Sequence, residues 1–357
     1  MQRTLSVALD RRSPGVTQTK ASGVPGATQR VGALSLVPKL LREHGVDPVA
    51  VLAHAGLPAN ALDDIDARLP YRAVGRMLAE AAGASNLPHF GLLAGALWTI
   101  RHMGPMALPL RHCATLGDAL RTLTVYQRLN SEGGTAFLVE RGDSMVVGYA
   151  IYESNVEGVP QIYDVVMALA YRLITELLGT PWRPREVTFA RSQPADPEPY
   201  RELFRAPLRF DRPHTALHLP GGLLDQPIPG ADPNTHKLLL AQLEAATAPH
   251  LILGLRRALR LLLLHGNSSG DDVAHALDLH RRTLNRRLKA QGTTFQAILD
   301  DVRREVAMQL LRDTGVALDD VALATGYADP STFVRAFRRW SGTTPAKWRE
   351  DARRARS

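Results

Sequence analysis

The sequence predicts an α+β unit, helices followed by a small and mainly antiparallel sheet, and after it an all-α unit of two helix-turn-helix elements joined by a long helix. Three observations predict it. Apolar residues recur at helical spacing up to Leu129, then alternate strand-like from Thr135, and return to helical spacing for the whole last hundred residues. Positive charge gathers at one end: residues 250–357 hold 19 Lys+Arg against 12 Asp+Glu, while the preceding 249 hold 24 against 23. Finally, one short-helix, turn, polar-helix pattern occurs twice, 49 residues apart when Arg286 is set on Arg335.

Taken in order, residues 1–29 are rich in Ser, Thr, Gly, Pro and Gln without apolar periodicity, and read as a disordered tail. Residues 30–246 then form the first folded domain. Val37, Leu40 and Leu41 open a helix, Val49 to Ala55 forms a second, and Tyr71 to Ala82, Phe90 to Leu97 and Leu116 to Leu129 add three more. Thr135 to Glu140 and Met145 to Tyr152 alternate about a turn at Arg141-Gly142-Asp143, the pattern of a β-hairpin. Tyr163 to Leu178 is helical, Glu186 to Ala190 a strand, and Pro194 to Pro199 a turn region. Leu208 to Phe210 and Thr215 to Leu219 supply two short strands, and His236 to Ala246 a helix that Thr247-Ala248-Pro249 breaks. That break is the expected connector to the second domain, residues 250–352.

A chain of 357 residues with 45% hydrophobic and 22% charged residues has room for two cores. The only cysteine, Cys113, excludes an intramolecular disulfide and multi-cysteine metal sites, and reads as a small buried hydrophobe. No apolar run is long enough for a bilayer, and Leu5 to Leu9, closed by Asp10-Arg11-Arg12, is a poor signal-peptide core. The expected location is cytoplasmic, with no membrane partner.

The second domain carries the functional signal. Arg281 to Gln291 is a helix with Leu284 and Leu288 inward; Arg282, Asn285, Arg286 and Lys289 share one outward face at i, i+3, i+4 and i+7. Arginine can bond guanine bidentately and asparagine adenine, so this face suits a DNA major groove. Pro330 to Trp340 repeats the design, with Phe333, Ala336, Phe337 and Trp340 as the apolar stripe, Asp329 as the candidate N-cap, and Ser331, Arg335, Arg338 and Arg339 on other faces. Between the two, Phe295 to Leu311 forms a helix of about 17 residues and roughly 25 Å. That length can hold two reading helices about one DNA turn apart. A solvated basic face explains one such helix; it does not explain two in register.

Residues 250–349 resemble the tandem helix-turn-helix domain of the AraC/XylS family of bacterial transcription regulators. The residues that carry this are Thr283-Leu284-Asn285-Arg286-Arg287-Leu288, Gly292-Thr293-Thr294-Phe295, Gly326-Tyr327 through Phe333, Arg335-Ala336-Phe337, and Gly342, Pro345, Trp348 and Arg349. The first unit departs from the family pattern, with His280-Arg281-Arg282 where a small cap and proline are common. The larger domain is similar to the arabinose-binding-domain-like effector and dimerisation domain of one branch of the family. Its cues are Ala114 through Leu120, Ala195-Asp196-Pro197 with Tyr200, Leu203 and Phe204, and Leu223-Leu224-Asp225 with Pro227 and Pro229. The resemblance implies a ligand-responsive, sequence-specific regulator, activation more than repression. Arg282, Asn285 and Arg286 would read one major-groove segment, and Ser331, Thr332, Arg335 and Arg338 would read or flank the next. The implied partners are promoter DNA, RNA polymerase, a small-molecule effector and a second copy in a homodimer, with no cofactor. The competing class is a sequence-tolerant architectural DNA binder without effector control.

Other chemistry is weaker. Gly266-Asn267-Ser268-Ser269-Gly270 fits G-x-S-x-G, but that nucleophile elbow needs a preceding strand and Leu255 to His265 reads as helix, so no enzyme is expected. His89, His102 and His112 match no metal-ligand spacing. Trp98, His102, Met103 and Met106 could line an effector pocket, although Trp and Met at such positions are more often plain core.

Overall fold

The computed structural model describes residues 26–141, 144–153, 155–245, 251–264, 270–277 and 280–354. The expected tail up to residue 25, the hairpin turn at 142–143, the connector at 247–249, the 266–269 loop and the turn at 278–279 lie outside the described residues.

The first domain opens with β1 (Thr28–Arg30), α1 (Val37–Glu43), α2 (Pro48–His54), β2 (Arg68–Pro70), α3 (Tyr71–Ala84), α4 (Phe90–Ala96), α5 (Ala107–Arg111) and α6 (Leu116–Tyr126). Composition assigns Gly26 to Gln29 to the tail. The structure instead buries Ala27 and pairs β1 antiparallel with β2, because Tyr71 and Leu69 offer backbone and core for it.

The expected hairpin is present as β3 (Gly134–Arg141) and β4 (Ser144–Ile151), paired antiparallel with Ala136 opposite Tyr149. It is followed by α7 (Val159–Leu178), β5 (Glu186–Thr188), α8 (Glu198–Phe204), β6 (Leu208–Arg209), β7 (Thr215–Leu219) and α9 (Pro233–Ala245). The five strands lie in the order β3-β4-β7-β5-β6, antiparallel throughout except for β5 with β6. The expected turn at Pro194–Pro199 ends early: Asp196 accepts the Glu198 amide at 2.9 Å and α8 begins there, with a proline tolerated in its first turn.

Val146 to Tyr152 is apolar apart from Gly148 and buried throughout, which means both faces of the sheet are covered. On one face Ala136, Val147, Tyr149 and Leu217 join the main core with α7. The other face, Phe137, Val146, Ala150 and Ala216, forms a separate cluster; Phe137 and Ala150 look across a small gap to Leu263, Val306 and Leu310 of the second domain. Glycine lets α4 press onto α7: a Cβ on Gly91 or Gly95 would lie 2.3 or 2.4 Å from a carbonyl oxygen of Gln161 or Val165.

The second domain contains α10 (Leu251–Leu264), α11 (Gly270–Ala276), α12 (Arg281–Ala290), α13 (Phe295–Asp313), α14 (Leu318–Ala324), α15 (Pro330–Ser341) and α16 (Pro345–Arg354). It docks against the sheet through α10 and α13. Gln309 Nε2 donates to the Tyr163 hydroxyl at 2.6 Å, Arg260 Nη2 donates to Gln309 Oε1 at 2.8 Å, and Arg256 Nη2 donates to the Tyr152 carbonyl at 2.7 Å. Gly315 N donates to Asp211 Oδ1 at 2.6 Å at the edge of the contact.

Candidate nucleic-acid interface and effector cavity

The exposed cationic face of α15 is set by its two ends and its buried stripe. Asp329 accepts from the backbone N–H groups of Ser331 and Thr332 at 3.2 and 2.9 Å, and from both of their hydroxyls at 2.6 Å. Those bonds to the ionised form hold its carboxyl well below the usual carboxylate range. At the other end Gly342, at φ 75°, donates its N–H to the Arg338 carbonyl at 2.9 Å, a left-handed cap. Phe333 and Phe337 are fully buried, 5.8 Å apart, and Phe337 meets Trp348 of α16 edge-on at 6.3 Å.

Ala336 is buried with Phe333 and Phe337, and Val334 and Trp340 pack partly against the core, while the cationic side chains point to solvent. Arg335 and Arg338 are exposed, with Arg335 Nη2 donating to Thr332 Oγ1 at 3.0 Å. Arg339 lies 3.6 Å from Asp300 of α13 and braces the helix instead. Ser331 and Thr332 spend their hydroxyl hydrogens on Asp329 and present only oxygens outward.

The first unit is built more simply. His280 Nδ1 accepts the Arg282 N–H at 3.2 Å as the cap of α12, and Arg281 pairs with Asp271 at 2.9 Å. Leu284 and Leu288 are buried, while Arg282, Asn285, Arg286 and Lys289 are all exposed on one face. Among the described residues none of Arg282, Arg286, Lys289 and Arg338 has an acidic partner within ion-pair distance, so their charge is available to an anion. Between the two units α13 runs 19 residues, Thr294 capping it through the Ala297 amide at 3.1 Å.

In the first domain an apolar cavity of about 100 Å³ lies between α7, the inner face of the hairpin and the segment after β1. Trp98, His102 and Met103 line it; Met106, fully buried beside them, does not. His102 Nδ1 accepts the Thr99 N–H at 3.1 Å, so the ring also closes a helical turn. Residues without any sequence signal complete the wall, among them Arg30, Asn130 and Tyr149, because they come from distant segments. Cys113 is fully buried, and burial pushes its thiol up to about 11. Among the described residues no three His, Cys, Asp or Glu side chains gather as metal ligands, and no helix is long and apolar enough to cross a membrane.

Two outward cationic helices, carried on one connecting helix and docked to an α+β domain with an internal cavity, define a tandem helix-turn-helix DNA-binding transcription regulator. The family model described as the arabinose-binding domain of AraC transcription regulator, N-term, matches residues 45–228, and a helix-turn-helix domain model matches residues 273–351. The chain is 31% identical over 318 residues to the HTH-type transcriptional regulator VirS of Mycobacterium tuberculosis, covering 87% of this chain and 93% of that one. It has the same identity and coverage against the ornithine utilization regulator of Pseudomonas aeruginosa. The solved structure of the transcriptional regulator CdpR from Pseudomonas aeruginosa aligns over 88% of this chain and 96% of its own, with 24% identity and a TM-score of 0.44. The chain belongs to the AraC/XylS family of transcription regulators.

Proposed function

We propose that the protein is a ligand-responsive activator that binds two successive major-groove segments of promoter DNA as a homodimer and acts on RNA polymerase. The observation that carries the DNA reading is the pair of exposed cationic faces on α12 and α15, each anchored by a buried apolar stripe. Arg282, Asn285 and Arg286 read the first segment, with Lys289 on the phosphates; Arg335 and Arg338 read the second, and Ser331 and Thr332 flank it. The domain boundaries that suit this role are residues 30–246 and 250–352.

Ligand response is supported by the position of the sheet. Its inner face lines the cavity and its outer face meets α10 and α13, so a shift of β4 or α7 on binding reaches the helix that spaces the two readers. An effector controls DNA binding only by favouring one of two such arrangements.

The test is footprinting on promoter fragments recovered from bound chromatin. Protection of two segments about one turn apart is expected, each lost separately in Arg286→Ala and Arg335→Ala. Affinity should fall steeply between low and physiological salt, as counterion release requires. Uniform recovery of fragments without a shared motif would instead identify an architectural binder.

A further inference from the structure

The cavity is more informative about its ligand than its size alone suggests, because of what its polar groups are already doing. Among the described residues Arg30 is the only formally charged side chain in the wall, and no aspartate or glutamate lines it. Its guanidinium is spent: Nε donates to Asp66 Oδ1 at 2.8 Å, Nη2 lies 2.7 Å from the same oxygen, and Nη1 donates to the His102 carbonyl at 2.7 Å. It is also clamped in place, since a Cβ on Gly104 would sit 2.5 Å from its Cζ. The Tyr71 and Tyr149 hydroxyls, both fully buried and held neutral by burial, face each other at 3.3 Å, and Tyr149 lies 3.0 Å from Ser131 Oγ. A charged ligand would lose its hydration here and find no free counter-ion.

One group is left short. Asn130 is buried, and its Oδ1 is turned toward Arg30 Nη1, 3.4 Å away. Its Nδ2 therefore faces the sulfurs of Met103 and Met106, at 3.2 and 3.3 Å, and a carbonyl at 3.4 Å. Thioether sulfur is a weak acceptor, so this buried amide donor lacks a good partner. Gln29 Nε2 donates to the Arg30 carbonyl at 3.0 Å, His102 Nδ1 accepts from the Thr99 amide and Gln127 bonds the Tyr149 hydroxyl, so these lining polar groups are engaged as well. The rest of the wall is hydrocarbon and aromatic, including Trp98, Leu123, Val147 and Ile162.

We infer that the cavity binds a neutral, mostly hydrocarbon molecule on the scale of one ring or a short chain, bearing a single acceptor oxygen that meets Asn130 Nδ2. The volume is of the order of the roughly 150 Å³ apolar cavity that takes benzene. Sugars carry more hydroxyls than these few polar groups, most of them already bonded to one another, can satisfy, and amino acids bring two charges with no free counter-ion for either. The inference rests on the ligand-responsive reading only in assigning the bound molecule a regulatory role.

The experiment uses the full chain and four probes of one size: benzyl alcohol, toluene, benzoate and benzylamine, each titrated by calorimetry with thermal shift in parallel. Benzyl alcohol is expected to bind and to raise the melting temperature, toluene to bind several-fold more weakly, and the two ions to give no signal at matched concentration. Ala170→Leu, which fills the cavity from α7, should abolish binding of both neutral probes. Asn130→Leu should bring benzyl alcohol down to the toluene level, and its own melting curve reports whether it folds. Binding of benzoate or benzylamine more tightly than benzyl alcohol overturns the inference, as does failure of all four or binding that survives Ala170→Leu. Promoter affinity measured with bound benzyl alcohol separates the two levels: an unchanged affinity sinks the effector role while leaving the ligand class standing.

Discussion

The two helix-turn-helix units share spacing and charge but are held differently. The second reader, α15, is capped by an aspartate with four hydrogen bonds, closed by a left-handed glycine, and locked by Phe333, Phe337, Trp340 and Trp348. The first, α12, has a histidine cap with one bond and two buried leucines. Burial of aromatic rings brings more apolar area and edge-to-face contacts than leucine does, so the second helix has the more extensive anchorage. The difference teaches that equal cationic faces need not be held equally firmly, and a helix pinned by caps and rings has less to order when it meets a partner.

The sharpest way to break this contrast is Phe337→Ala, which should destabilise the second domain by about 3–5 kcal/mol by leaving a cavity among the rings of Phe333, Trp340 and Trp348. Leu288→Ala should cost less, about 2–4 kcal/mol, in thermal unfolding of the full chain. Equal losses would remove the contrast in packing. Next in size, Arg335→Ala should weaken binding to a cognate site by about 1–3 kcal/mol and relax base preference only at the second segment. The same change at Arg286 should relax the first segment, measured by selection from a randomised site.

Acid sharpens the comparison further. Asp329 has its carboxyl held below the ordinary value, so its stabilisation is complete above about pH 4 and fades as pH falls below that. Circular dichroism of the parent should show helix loss at acid pH that Asp329→Asn, already lacking the carboxylate, does not repeat. The smallest effect expected is a gain. His280→Ser supplies a better N-cap and should stabilise α12 by roughly 0.5–1 kcal/mol in urea unfolding, with promoter affinity rising at the first segment alone. No gain would show that the histidine cap is not what limits this unit.

The readers were legible in the sequence because a helix writes its buried and open faces into its own spacing. Phe333, Phe337 and Trp340 mark one side of α15, and Asp329, Pro330 and Gly342 mark its ends. The same local chemistry exposed the hairpin and α7. It was blind to β1, whose short strand exists only because β2 arrives beside it from forty residues away. The assignment of an effector pocket to Trp98, His102, Met103 and Met106 was equally local; the first three line the cavity, and Met106 packs outside the lining.

What the sequence by itself determined is therefore most of the elements, the cationic faces and the family, all of which follow from residues close together in the chain. Only the tertiary structure decided that Arg30 is spent on Asp66, that Asn130 faces two sulfurs, and that Gln309 joins Tyr163 to Arg260 across the domain contact. Each of these joins residues between 24 and 146 positions apart in the chain. No periodicity carries such information, because hydrogen bonding and burial depend on which groups the completed fold brings within reach of one another.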